Sequence, residues 1–208
     1  MSRAVDLHEQ AKQAANRGRF TRAHSLLERA RAVADDPDLR ARIELTRAYI
    51  EAETGEPASG RARCEGLLEQ GGLATETLGL VWSQLGLLSM RAGDVERAME
   101  AFAAAVDLLP DDGEPIGLVL LNRGNVHLQR GDAQAAITDF TAAREHFSRA
   151  GGLEVWQAKV EHNLGYARLL TGDIVGALQM MDEAASVLSV QSAASRAVGE
   201  QDLSLIHI

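Results

Sequence analysis

The chain has 208 residues, of which 46% are hydrophobic and only 4% aromatic, and its formal net charge is −9. Because strand-favouring aromatic and β-branched residues are scarce, this composition favours closely packed helices over sheets. An acidic chain is repelled by phosphate backbones and no Lys/Arg run exceeds a few residues, so we expect no nucleic-acid partner.

The cysteine count and the apolar pattern bear on the compartment of the protein. The single cysteine, Cys64, excludes an intrachain disulfide. The N-terminal residues lack the apolar core of a secretory signal, and no apolar run approaches the roughly 20 residues that span a bilayer. We therefore expect a cytoplasmic location and no membrane partner.

Five glycines at regular intervals divide the chain into helical hairpins. Their spacings are 37, 38, 38 and 41 residues, and they are Gly18, Gly55, Gly93, Gly131 and Gly172. Each stands where one predicted helix ends and the next begins. The predicted array covers residues 1–202, with hairpins at approximately 4–37, 38–73, 74–112, 113–151 and 152–190.

Turn chemistry supports these boundaries. Asp94, Asp132 and Asp173 directly follow three of the glycines and are predicted N-caps of the second helix in each hairpin. Between hairpins, Asp36-Pro37 and the run 110–113 have the composition of breaks.

Further columns align when the hairpins are superimposed on their glycines. The residues seven positions before the glycine are small: Ala11, Ala48, Gly86, Gly124 and Gly165. The residues nine positions after it are mostly large and apolar: Leu27, Cys64, Phe102, Phe140 and Met181. We expect the small residues to let helix backbones approach closely and the large ones to fill the gaps between hairpins.

The third hairpin carries a characteristic set of residues at fixed spacing: Trp82, Leu85, Gly86, Ala98, Phe102 and Pro110. They resemble the tetratricopeptide pattern W-x2-L-G…A-x3-F…P, with Ser89 in place of the family's tyrosine. The fourth and fifth hairpins lack the tryptophan and proline. The resemblance extends over residues 4–189 and implies an all-α, TPR-like α-solenoid of about five helix-turn-helix hairpins in a right-handed superhelix.

The same resemblance implies that first helices line a concave groove that binds a peptide or protein partner. The predicted groove residues are Gln84, Leu87, Leu121, Asn122, Asn125, Lys159, His162, Asn163 and Tyr166. These positions are apolar or carry amides, with almost no acid. Such a surface favours an extended peptide, whose backbone needs hydrogen-bond partners and whose side chains need apolar pockets.

One groove column has a sharper interpretation. Gln84, Asn122 and Asn163 occupy the same repeat position. In some tetratricopeptide families an asparagine ladder at this position binds the peptide main chain, and the resemblance implies the same use here. The alternative is that these amides bond a neighbouring helix or face water.

A narrower resemblance concerns the wider protein. Residues 120–127 and 162–166 resemble the repeat region that precedes CHAT domains in actinobacterial proteins. CHAT domains are caspase-like cysteine proteases, so the resemblance implies a sensor or regulatory arm of a larger protein. The protease domain would lie C-terminal to this chain, none of whose residues matches its catalytic motif. The alternatives are the repeat arm of a transcriptional regulator and a free-standing adaptor.

The last residues depart from the repeat pattern. We interpret residues 203–208 as a non-native tail, because they resemble a translated transposon end, and residues 191–202 as the start of a truncated sixth hairpin. Solenoids need a polar capping element and no clear C-terminal cap is visible. Self-association through this end is therefore a further alternative.

The chain shows no constellation of catalytic or metal-binding residues. Cys64 falls in the large-residue column, which predicts a buried, inert thiol. The histidines form no H-x3-H or H-E-x-x-H pair, and no glycine-rich phosphate loop is present. We therefore expect no enzymatic activity, no cofactor and no metal.

Overall fold

The computed structural model describes residues 2–151 and 154–197, in which ten α-helices and no strands are present. The helices are α1 (Arg3–Asn16), α2 (Phe20–Val33), α3 (Pro37–Glu53), α4 (Pro57–Gln70), α5 (Thr75–Arg91), α6 (Val95–Leu108), α7 (Glu114–Gln129), α8 (Ala133–Ala150), α9 (Glu154–Leu170) and α10 (Ile174–Ala197). Consecutive odd- and even-numbered helices pack against each other as five hairpins. The predicted all-α solenoid is confirmed.

Left-handed glycines and aspartate caps make the tight turn inside the hairpins. All five predicted turn glycines have positive φ, between 66° and 96°, a region that only glycine adopts without strain. The Asp94 and Asp132 carboxylates accept backbone N–H bonds at 3.2 and 3.0 Å from the third residue of the following helix. Asp173 does the same for Gly176 at 3.3 Å. The predicted caps are therefore confirmed.

Glycines in the first helices make room for large side chains of the second helices. A Cβ added to Gly124 would lie 2.5 Å from the Phe140 ring, closer than real contacts allow. The same arrangement recurs in the pairs Gly86–Phe102 and Gly165–Met181. Each large residue thus packs against the first helix of its own hairpin, while Phe102 and Phe140 also belong to a core shared by hairpins three to five.

The first helix of each hairpin contacts the second helix of the preceding hairpin and, less extensively, its first helix. Contacts join α1 to α3, α3 to α5, α5 to α7, and α7 to α9. Within the described ranges, no second helix makes a comparable contact with the second helix of the next hairpin. We call the side of the stack formed by the odd-numbered helices the inner face, and the side formed by the even-numbered helices the outer face.

The last helix passes the predicted end of the fifth hairpin. Helix α10 continues without a break through residue 190 to Ala197, so residues 191–197, predicted as the start of a sixth hairpin, lie in the same helix. Its continuity has a local reason, because residues 186–197 contain neither glycine nor proline. The rest of that predicted hairpin and the tail at 203–208 lie outside the described residues.

Cys64 occupies the core position that its column predicts. Its side chain is fully buried, and burial raises the pKa of the thiol to about 12, with a further contribution from Glu65. A thiol with this pKa stays protonated and unreactive near neutral pH. Among the described residues, no helix is long and apolar enough to cross a membrane, and no group of acidic, histidine or cysteine side chains is arranged to hold a metal ion.

Candidate functional site

Two adjoining cavities lie on the inner face. The larger, of about 420 Å³, is lined mainly by α1 and α3, and the smaller, of about 230 Å³, by α1, α3, α5 and α7. Both are lined by Lys12, Arg42 and Leu80, so they form one depression along the first helices of hairpins one to four. We call this depression the inner groove.

The inner groove contains paired charges. Lys12 Nζ lies 3.4 Å from Glu9 Oε1, and Arg42 Nη2 lies 3.2 Å from Glu76 Oε1. The predicted groove positions of hairpins three to five carry almost no acid. The inner groove also includes Glu76 from the first turn of α5 and Glu9 from the N-terminal hairpin.

Gln84 is the predicted groove residue with the clearest geometry. It lines the smaller cavity, yet it is only 5% exposed. Its Nε2 has no hydrogen-bond partner among the described residues. A buried amide donor without a partner is destabilising by about 1–3 kcal/mol, which bonding to a ligand would recover.

The asparagine column has a mixed geometry. Asn163 Nδ2 on α9 donates to Asn125 Oδ1 on α7 at 2.9 Å, so these two predicted groove residues join neighbouring hairpins. This is the alternative in which an amide of the column bonds a neighbouring helix. Asn122 is half-buried.

Two predicted groove leucines belong to the packed interior. Leu121 is 4% exposed and lies in the core of hairpins three to five, and Leu87 packs partly buried against the same core. Leu121 lies three residues before Gly124 on the same side of α7, the side that packs against Phe140 of α8. Leu121 therefore belongs to the core and lines neither cavity of the inner groove, which differs from its predicted place on the groove surface.

The remaining predicted groove residues lie on α9. The Lys159 ammonium is 4.3 Å from the centroid of the Trp156 ring, a cation–π contact. His162 is half-buried, and Tyr166 is 45% exposed. These side chains are on the odd-numbered helix that the repeat offset assigns to the inner face.

His8 is a groove residue that the repeat offsets missed. It lines the larger cavity, is 6% exposed, and its Nε2 lies 2.9 Å from Thr46 Oγ1 on α3. Burial and, to a smaller extent, the positive charge of Lys12 lower the pKa of His8 to about 4. The sequence feature that could have predicted its burial is its position three residues before Ala11, on the packed side of α1.

The C-terminal hairpin exposes a second, apolar surface. Leu170 of α9 and Ile174 and Leu178 of α10 are 53 to 56% exposed, close in sequence to Tyr166. This is the end through which self-association was predicted. That alternative stays a prediction.

The chain is similar in fold to several solved structures. It matches BtubC (BKLC) from P. vanneervenii with a TM-score of 0.71 and 19% identity, over 88% of this chain and 78% of that one. The APC/C hetero-tetramer Cut9-Hcn1 matches with a TM-score of 0.70 and 19% identity, over 87% and 33%. A putative kinesin light chain from Podosopora anserina with TPR-like repeats matches with a TM-score of 0.64 and 16% identity, over 94% and 99%.

A sequence comparison identifies the type of repeat. Residues 116–189, from α7 into α10, match the sequence model of the tetratricopeptide repeat family. No curated protein matches the chain. At 16 to 19% identity the solved structures establish the fold alone. The chain is thus an all-α solenoid of TPR-like fold, and its segment 116–189 matches the tetratricopeptide repeat family.

Proposed function

We propose that this chain is a protein-interaction scaffold that binds an extended peptide segment of a protein partner in the inner groove. Tetratricopeptide repeats in general mediate protein–protein interaction, and residues 116–189 match that family. The groove is long enough to contact four successive hairpins, which suits an extended chain better than a compact small molecule.

The Gln84 amide carries this proposal. Gln84 lines the groove, and its buried Nε2 lacks a hydrogen-bond partner among the described residues. The backbone carbonyl of a bound peptide is an acceptor of the required kind. Every peptide backbone presents such carbonyls, so a bond from Gln84 to the main chain would contribute affinity independent of ligand sequence and leave selectivity to its neighbours.

The neighbours of Gln84 indicate the ligand's side chains. Leu80 and Leu118 line the same cavity and offer apolar contact. Arg42 is already paired with Glu76, so a charged ligand group would have to compete with an existing ion pair. We therefore expect the peptide to present apolar side chains here and to bind with little dependence on its net charge.

We expect Gln84→Met to weaken peptide binding about threefold to tenfold, since a typical hydrogen bond contributes about 0.5–1.5 kcal/mol. Methionine keeps the length of the side chain and removes the donor. Peptides would first be selected against the wild-type chain from a randomised phage-displayed library. Their dissociation constants would then be measured by fluorescence anisotropy for wild type, Gln84→Met and Asn122→Ala.

The matched control is Gln134→Met, since Gln134 is exposed on the second helix α8. It should bind every selected peptide as wild type does. Equal affinities of wild type, Gln84→Met and Asn122→Ala, with unchanged circular dichroism, would remove the inner groove as the binding site.

The narrower resemblance supports a finer proposal about context. Residues 120–127 and 162–166 resemble repeats that precede CHAT domains. We propose that the array serves as the sensor arm of a larger protein, in which a bound partner changes the exposure or assembly of a caspase-like protease. This step rests on family analogy.

Genomic sequence downstream of the codon for Asp202 tests the finer proposal. We expect the reading frame to continue into a domain with a His/Cys dyad. A frame that leads to a DNA-binding domain, or that stops near the codon for Ile208, would replace the sensor arm with a regulator arm or a free-standing adaptor.

A further inference from the structure

A third cavity, of about 450 Å³, opens on the other side of α3 from the inner groove. Helix α3 contributes Arg42 and Leu45 to the inner groove, and Arg40 and Glu44 to this third cavity. The remaining walls come from α2 and α4, the second helices of hairpins one and two, and from the loop after α4, which contributes Leu73. We call this cavity the outer cleft.

The outer cleft is open because two kinds of packing are missing. Within the described ranges, α2 and α4 make no comparable contact with each other. In addition, Gly66 of α4 borders the cleft without a side chain, and a Cβ added there would meet nothing within 4 Å. The space is thus large enough for ligand side chains without rearrangement of the helices.

The cleft is basic in an acidic protein. Three arginines, Arg31, Arg40 and Arg63, and one carboxylate, Glu44, line it, whereas the whole chain carries −9. Leu67 and Leu73 line the same cavity and add apolar surface. A ligand that complements these walls carries negative charge and apolar groups together.

Arg40 is held in place with its terminal nitrogens available. Its Nε donates to the Ala34 carbonyl at 2.7 Å, which fixes the guanidinium at the wall of the cleft. Among the described residues no carboxylate forms an ion pair with Arg40. Because a planar guanidinium binds a carboxylate through two parallel hydrogen bonds, Arg40 is prepared for such a ligand.

Arg31 can leave its ion pair with Glu44 and turn toward a ligand with little loss of stability. It lies 3.4 Å from Glu44, but Glu44 also pairs with Arg63 at 2.5 Å. Arg63 in turn bonds Glu51, which raises the pKa of its guanidinium and holds it in the wall. Glu44 therefore keeps a close partner when Arg31, whose side chain is 58% exposed, contacts a ligand.

We propose that the outer cleft is a second binding site, for an acidic peptide segment in which carboxylate side chains alternate with leucine-sized apolar ones. Arg40 and Arg31 bind the carboxylates, and Leu67 and Leu73 contact the apolar side chains. This site is separate from the inner groove, so the array binds two segments on opposite sides of α3.

The probe is a fluorescein-labelled synthetic peptide of alternating glutamate and leucine, with an alternating lysine–leucine peptide as its charge-reversed control. Anisotropy titrations are expected to show binding of the glutamate peptide only, weakened by added NaCl. We expect Arg40→Ala to weaken it about tenfold, as loss of a charge-assisted pair predicts. The matched control Arg29→Ala removes an exposed charge from α2 outside the cleft and should have no effect.

A second pair of variants tests the cavity itself. Gly66→Phe fills open space and should abolish binding, while Gly66→Ala should keep it, with circular dichroism confirming that both variants fold. Gln84→Met should leave the acidic peptide bound, which separates this site from the inner groove. The proposal is overturned if the peptide does not bind, if Arg40→Ala equals Arg29→Ala, or if inorganic phosphate or single-stranded DNA binds in the peptide's place.

Discussion

Replacing Phe140 by alanine is expected to lower the free energy of unfolding by about 4 kcal/mol, the usual loss for a fully buried phenylalanine. The ring is completely buried and lies against Gly124, which has no side chain to move into the vacated space. Hairpins contact only their neighbours, so a cavity between α7 and α8 cannot be offset elsewhere. The melting temperature should fall by roughly 10 °C.

Urea denaturation followed by circular dichroism at the helical band measures this loss. The matched control is Met181→Ala, which truncates the residue in the same column of the fifth hairpin, where it is only half-buried. We expect its loss of stability to be roughly half as large. A loss from Phe140→Ala no greater than that from Met181→Ala would contradict close packing against Gly124.

Acidification from pH 7 to pH 5 is expected to lower the stability of the wild-type chain by about 2 kcal/mol through His8 alone. Its pKa is about 4 in the folded protein and 6.5 as an ordinary histidine. The unfolded chain therefore binds a proton that the folded chain excludes. This contribution to stability is complete above pH 6.5 and is lost as the pH falls toward 4.

Denaturation curves at several pH values for wild type and His8→Gln measure this contribution. Glutamine keeps a polar group beside Thr46 but does not titrate, so the variant should lose less stability between pH 7 and pH 5. Lys12, Glu9 and Arg42 influence His8 and are present in both proteins, which cancels their own effects. If the free energy of unfolding changed equally with pH in the two proteins, protonation of His8 would not destabilise the folded state.

The solenoid could be predicted because its determinants are local and repeated. Positive φ at Gly93 and Gly131 follows from chemistry within a few residues, and so do the caps at Asp94 and Asp132. The recurring small residue and large residue then place the two helices of each hairpin face to face. Five hairpins carry the same residue pattern, so a weak match in one hairpin does not change the predicted fold.

The binding surfaces were harder to predict from the sequence because they depend on contacts between neighbouring hairpins. Whether Asn163 meets a ligand or Asn125 is decided by the distance between α7 and α9, which no single repeat encodes. Glu76 lines the inner groove because the first turn of α5 lies beside Arg42 of α3. The outer cleft is open because α2 and α4 do not pack against each other, and no residue pattern in the sequence predicts the absence of a contact.

The close packing inside each hairpin limits how such an array can change by gene duplication. Within this chain, glycine in the first helix is paired with phenylalanine or methionine in the second, whereas the alanines Ala11 and Ala48 stand opposite the smaller Leu27 and Cys64. A crossover inside a hairpin that joined the first helix of hairpin two to the second helix of hairpin four would place a methyl group against the Phe140 ring. Crossovers between hairpins would keep each pair intact, so the whole hairpin is the unit that can be copied or lost.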